Sequence, residues 1–181
     1  MTILQNSGKV ALCGSITALS LALLLIAGIL PIDTYSLPAV AGSVFVVIAI
    51  EFGFKWSLIS FFAVSILSFL FVPNKEVSII FIMFFGYYPF SKIYIEKIKS
   101  NFLKIAIKLL IFNTSNILEF LLAIKLFSIP EETQMIFGIS GPIFLLLAGN
   151  IVFWFYDILV FNMMRLYFLK FRNKLKKIMH L

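Results

Sequence analysis

The chain has 181 residues, 62% of them hydrophobic, and carries a net charge of +7 with one cysteine and one histidine. A soluble domain holds about 45–50% apolar residues, so this composition describes a membrane protein with no room for a separate soluble domain. One cysteine excludes a disulfide framework, and one histidine near the C-terminus leaves little scope for histidine-based metal or acid–base chemistry.

Six apolar stretches run along the chain: residues 10–30, 38–52, 56–72, 77–95, 103–129 and 137–168, followed by a short basic tail, 169–181. Lipid satisfies no open backbone groups, so a spanning segment is a helix of about 20 apolar residues. The fold class expected is therefore an all-α integral membrane protein, a single six-helix bundle. The first stretch follows Lys9 and resembles a signal peptide. Its length and the Pro31-Ile32-Asp33 sequence after it, with no clear cleavage site, favour a retained helix. Its Cys13 reads as a small buried residue. The second and third stretches share residues 38–72 around Gly53, so each helix is about 25 Å long. That is short for a hydrocarbon core of about 30 Å and implies irregular ends or local thinning. The fourth carries Gly86-Tyr87-Tyr88-Pro89, where the missing proline donor predicts a kink.

The charges are distributed by side. Thirteen of the fifteen basic residues fall on one side if the chain crosses six times: Lys9, Lys55, Lys92, Lys97, Lys99, Lys104, Lys108, Arg165, Lys170, Arg172, Lys174, Lys176 and Lys177. Lys75 and Lys125 lie toward the other side with Asp33, Glu76, Glu131 and Glu132. This positive-inside pattern predicts cytoplasmic N- and C-termini in a multi-pass protein of the cell membrane. The basic tail then anchors topology and meets anionic lipid headgroups, not nucleic acid. Glu51, four residues before Lys55, predicts a local interfacial pair.

Ionisable residues inside a span are costly and mark candidate sites. Asn113, Asn116 and Glu119 occupy one arc of about 120° on the fifth helix. Lys108 points within about 20° of Glu119, and Asn150 and Asp157 are nearly aligned on the sixth helix. Two polar layers follow. Asn116, Glu119 and Asn150 form one toward the outer loops, either a small-molecule site that Asp33 and Tyr35 complete or interhelical glue. The other is a structural ion pair between Lys108 and Asp157. No metalloprotease, nucleophile-elbow or phosphate-loop motif occurs, so the expectation is no enzyme, no metal and no cofactor. Any driven transport needs a partner ATPase.

Gly14, Ala18 and Ala22 form a small-residue stripe on the first helix, suited to close helix approach. Together with Asp33-Thr-Tyr-Ser-Leu-Pro38-Ala-Val-Ala-Gly42, this stripe resembles the first 60 residues of the substrate-binding S component of energy-coupling factor (ECF) vitamin transporters, especially the riboflavin type. The resemblance implies a six-helix subunit that captures a vitamin-like molecule from outside for ATP-driven uptake in a bacterial cell membrane. It implies a first loop closing over the ligand. It also implies that the stripe at Gly14, Ala18 and Ala22 docks on a transmembrane coupling protein associated with ATPase subunits. The size and layout also resemble a cell-shape membrane protein of the MreD type, a scaffold that binds other membrane proteins. Both readings stay open at this point.

Overall fold

The computed structural model describes residues 3–30, 34–127, 135–136 and 139–172, with side chains over 7–30, 34–122 and 146–172. Asp33 and the tail beyond Arg172 lie outside the described residues. The protein is an all-α membrane bundle built from six helical segments. Among the described residues five are long and apolar enough to cross a membrane, at Ser7–Ile29, Phe54–Phe71, Lys75–Ile95, Asn101–Leu122 and Leu146–Phe171. Ser36–Phe52 is a shorter apolar helix. Beside them stands one antiparallel pairing of two-residue strands, β1 (Met135–Ile136) with β2 (Ile139–Ser140).

The first segment is one helix, α1 (Ile3–Ile29). Cys13, Ile16, Ser20, Leu24 and Ala27 recur every three or four residues and are buried. That spacing places them on one face. Gly14, Ala18 and Ala22 lie on the opposite, exposed face.

The second segment breaks at Val44 into α2 (Ser36–Ser43) and α3 (Phe45–Phe52). Gly53 turns the chain with φ 87°, a left-handed conformation open to glycine at no steric cost, and α4 (Phe54–Phe71) follows. The 17 and 18 residues of these two segments match the short lengths expected.

The fourth segment is interrupted, as Pro89 predicts. α5 (Lys75–Ile80) passes into a π-helical turn (Phe81–Phe85), and after Gly86 and Tyr87 the chain resumes as α6 (Tyr88–Ile95). Gly86 donates its N–H to the Phe81 carbonyl five residues back, at 2.7 Å. Pro89 has no N–H for the Phe85 carbonyl. Gly42 of α2 fills the space at that carbonyl: a Cβ on Gly42 would overlap it and meet the carbonyl carbon at 2.6 Å. The kink and the glycine together let two backbones touch. The fifth segment is α7 (Asn101–Phe127), and the sixth is α8 (Gly141–Leu166) extended by a π-helical turn, Tyr167–Phe171.

The two ends of the bundle are distinct. At one, Lys9 lies over the Phe52 ring, Phe54 packs on Tyr94, and Arg172 reaches Glu51. This is the basic end. At the other, Gly28 packs against Val72 and Pro73, close to the Tyr35 loop. Glu51 corrects the expected pairing with Lys55: its carboxylate accepts from Arg172 Nε and Tyr167 Oη, each at 3.1 Å. A contact across helices replaces the local one because Glu51 faces the interior, its side chain only 6% exposed.

Candidate functional site

A cavity of about 710 Å³ opens near the Tyr35 end, between the fourth, fifth and sixth segments. Ligand sites typically span about 300–1,000 Å³. The polar lining consists of Tyr35, Glu76, Asn116, Glu119 and Tyr156, and the rest is mainly Phe and aliphatic side chains. Asn116 donates Nδ2 to the Phe112 carbonyl at 2.9 Å. Tyr35 stands outside the helices, where burial, and then the Glu119 and Glu76 carboxylates, raise its phenol above the ordinary range.

An aromatic cluster forms the inner wall. Phe84, Phe112, Phe153 and Tyr156 line the cavity. Phe112 stacks on Phe153 with centroids 4.8 Å apart, and Phe84 meets Phe112 edge-on at 5.3 Å. Gly149 packs against the Phe112 ring, and a Cβ there would meet Phe112 Cζ at 3.4 Å, an ordinary contact. The π-helical turn brings Phe84 and Phe85 into this wall.

Of the sequence-derived ligand set, Tyr35, Asn116 and Glu119 therefore line one cavity. Asp33 lies outside the described residues. Asn150 does not line the cavity: its Nδ2 donates to Asn113 Oδ1 at 3.0 Å, while Asn113 Nδ2 donates to Asn150 Oδ1 at 3.1 Å. This reciprocal amide clasp joins α7 to α8. The expected polar floor at Asn150 is corrected to an aromatic one, because two amides facing each other satisfy one another better than either could an apolar ring. Sequence reasoning placed Glu76 in a loop and gave it no ligand role. It is the first-turn acid of α5, behind the Asn74 cap, whose Oδ1 accepts the Glu76 N–H at 3.0 Å.

Beneath the aromatic floor lies a buried charge network. Lys108 Nζ and Asp157 Oδ2 are 3.0 Å apart, the ion pair expected from the sequence. That pair is part of a larger group. Lys92, 1% exposed, sits 2.5 Å from Asp157 Oδ1 and donates to the Asp157 backbone carbonyl. Lys108 also contacts Glu96 at 2.6 Å, and Tyr88 donates its hydroxyl to Asp157. Two buried ammonium groups thus face two carboxylates, and each charge is matched, as a low-dielectric interior requires. Lys92 was read from the sequence as a charge flanking a loop. Lys92 and Lys108 are both buried and paired inside the bundle. The spacing of Tyr88, Lys92 and Glu96, four residues apart each, carried a signal of one shared helix face. The Tyr88 ring stacks on Phe84 at 4.8 Å, so the network supports the cavity floor directly.

Among the described residues, no group of three or more His, Cys, Asp or Glu is placed to hold a metal ion. No family model matches the chain, and neither a curated protein nor a solved structure matches it.

Proposed function

We propose that the protein is a membrane-embedded binding subunit of the S-component type, which captures a small vitamin-like molecule and hands it on through a transmembrane coupling protein and ATPase subunits. The observation that carries this reading is the cavity, where Tyr35, Asn116 and Glu119 meet over an aromatic floor. A bundle held together only as a scaffold gains nothing from an open space of this size, since each unfilled volume forfeits packing contacts. In this reading the protein is not an enzyme. The basic end faces the cytoplasm, the cavity opens outward, and the cell membrane is the location.

The exposed face of α1 supports a partner. Gly14, Ala18 and Ala22 are exposed in the isolated bundle and offer a shallow track for another helix. That face would serve a scaffold of the MreD type equally well, so the cavity, not the stripe, separates the two readings. The test is mass spectrometry of the denatured, purified protein, wild type beside Ala148→Trp. Ala148 lines the cavity, and an indole there fills it. The expected result is a small molecule released by the wild type and missing from a variant that elutes unchanged. Release of none from the wild type, or equal release from the variant, removes the transport reading and leaves the scaffold.

A further inference from the structure

We infer that the cavity selects an organic cation with a flat aromatic or heteroaromatic body. The inference rests on the small-molecule reading above and assigns its ligand a charge and an orientation.

The sign comes from how the chain spends its cations. Glu51, Glu96 and Asp157 each have a Lys or Arg within 3.1 Å. Glu76 and Glu119 have no such partner among the described side chains, and among the described residues they are the acids that line the cavity. The cation nearest Glu76 in sequence, Lys75, is turned elsewhere, and the side chain of Lys125, the nearest to Glu119, lies outside the described residues. The Lys75 Nζ donates to the Phe69 carbonyl at 2.7 Å and the Val72 carbonyl at 3.0 Å, closing the end of α4. Glu119 stands half-buried on a membrane-spanning helix, where a carboxylate is costly unless it is protonated or matched by a cation. An ammonium or ring-nitrogen cation supplies that match.

The cavity's shape orients the ligand. Tyr35 and Glu76 are exposed at the mouth. Phe84, Phe112 and Phe153 lie against the floor, buried. The charged end of the ligand therefore sits toward the carboxylates, and its flat body stacks below. Aromatic faces carry negative charge density, so the walls also attract a cation, and they disfavour an anion.

The test uses three ring-matched probes: N-methylquinolinium (cation), quinoline (neutral at pH 7.5) and quinoline-2-carboxylate (anion). Binding is measured by calorimetry on the protein in phosphatidylcholine nanodiscs, whose zwitterionic surface recruits none of the three by charge. N-methylquinolinium has no N–H to donate, so it meets the carboxylates through charge alone, an attraction that partial exclusion of water strengthens. It is expected to bind at least about 10-fold more tightly than quinoline, a difference of about 1.4 kcal/mol, with the carboxylate weakest. The Glu76→Gln/Glu119→Gln double variant should retain quinoline binding and lose most of the preference for the cation, keeping only the part the aromatic walls supply. If quinoline or the carboxylate binds as tightly as the cation, or the preference survives undiminished in the double variant, the charge assignment falls while the small-molecule reading stands. If none of the three binds the folded wild type, and no compound is released from it on denaturation, both fall.

Discussion

Asp157→Asn is the sharpest probe of the buried network. The substitution keeps the size of the side chain and removes the charge that two lysines share, at 2.5 and 3.0 Å. Lys108 keeps Glu96 at 2.6 Å. Lys92 keeps the Asp157 backbone carbonyl, the Phe161 ring 5.8 Å from its Nζ, and a neutral amide oxygen in place of the carboxylate. Breaking a buried pair by removing one partner costs about 3–5 kcal/mol. The surviving contacts of both lysines place the expected loss near the lower edge, about 3 kcal/mol. An ordinary interhelical hydrogen bond in a membrane contributes about 0.6 kcal/mol, so the two accounts differ by a measurable margin. The assay is reversible unfolding in mixed micelles by titrated dodecyl sulfate, followed by circular dichroism. The paired variant Lys92→Met/Asp157→Asn removes the orphaned charge as well, keeps an acceptor for the Tyr88 hydroxyl, and should return to within about 1 kcal/mol of wild type. A loss below about 1 kcal/mol for Asp157→Asn, or a paired variant no more stable than the single one, would refute the electrostatic account.

Gly42→Ala should destabilise the bundle by about 1–3 kcal/mol in the same assay, because its Cβ meets backbone at Phe85. Asn150→Ala should cost about 1 kcal/mol or less and leave occupancy of the cavity unchanged, since Asn150 bonds to Asn113; lost occupancy would return Asn150 to the ligand set. Cysteines placed at Asn74 and Lys99 should label from opposite sides of the cell membrane, Asn74 from outside; the native Cys13 is buried and contributes little background. Ala18→Leu should abolish copurification of a membrane partner with the fold intact, because Ala18 faces outward; an unchanged partner would dismiss α1 as the docking face.

Much of the fold was legible because lipid makes so few structures possible. Apolar length located the helices to within a few residues, except that the sixth stretch, expected from 137, includes β2 (Ile139–Ser140) before α8 begins at Gly141; the two short segments around Gly53 and the break at Pro89 followed from residue chemistry. The compensating device at the break was not legible. Nothing in the sequence says that Gly42 faces the carbonyl that Pro89 leaves without its usual donor, since the two lie 47 positions apart and meet only through packing.

The site was legible in part for a different reason. Helical periodicity finds polar residues that share a face of one helix, which is how Asn116 and Glu119 were grouped. It cannot decide which polar residue on the next helix each will meet. Asn113 and Asn150 were both visible, yet their closure on one another depends on a difference in height between α7 and α8 that periodicity does not supply. Lys92 was misplaced because charge counting by side treats every lysine near a helix end as an anchor. Subtracting Lys92 and Lys108, which serve the interior, thirteen basic residues become eleven against Lys75 and Lys125. The bias survives that correction. The orientation therefore rests on charges outside the bundle, and the ion network inside it is free to serve the cavity floor.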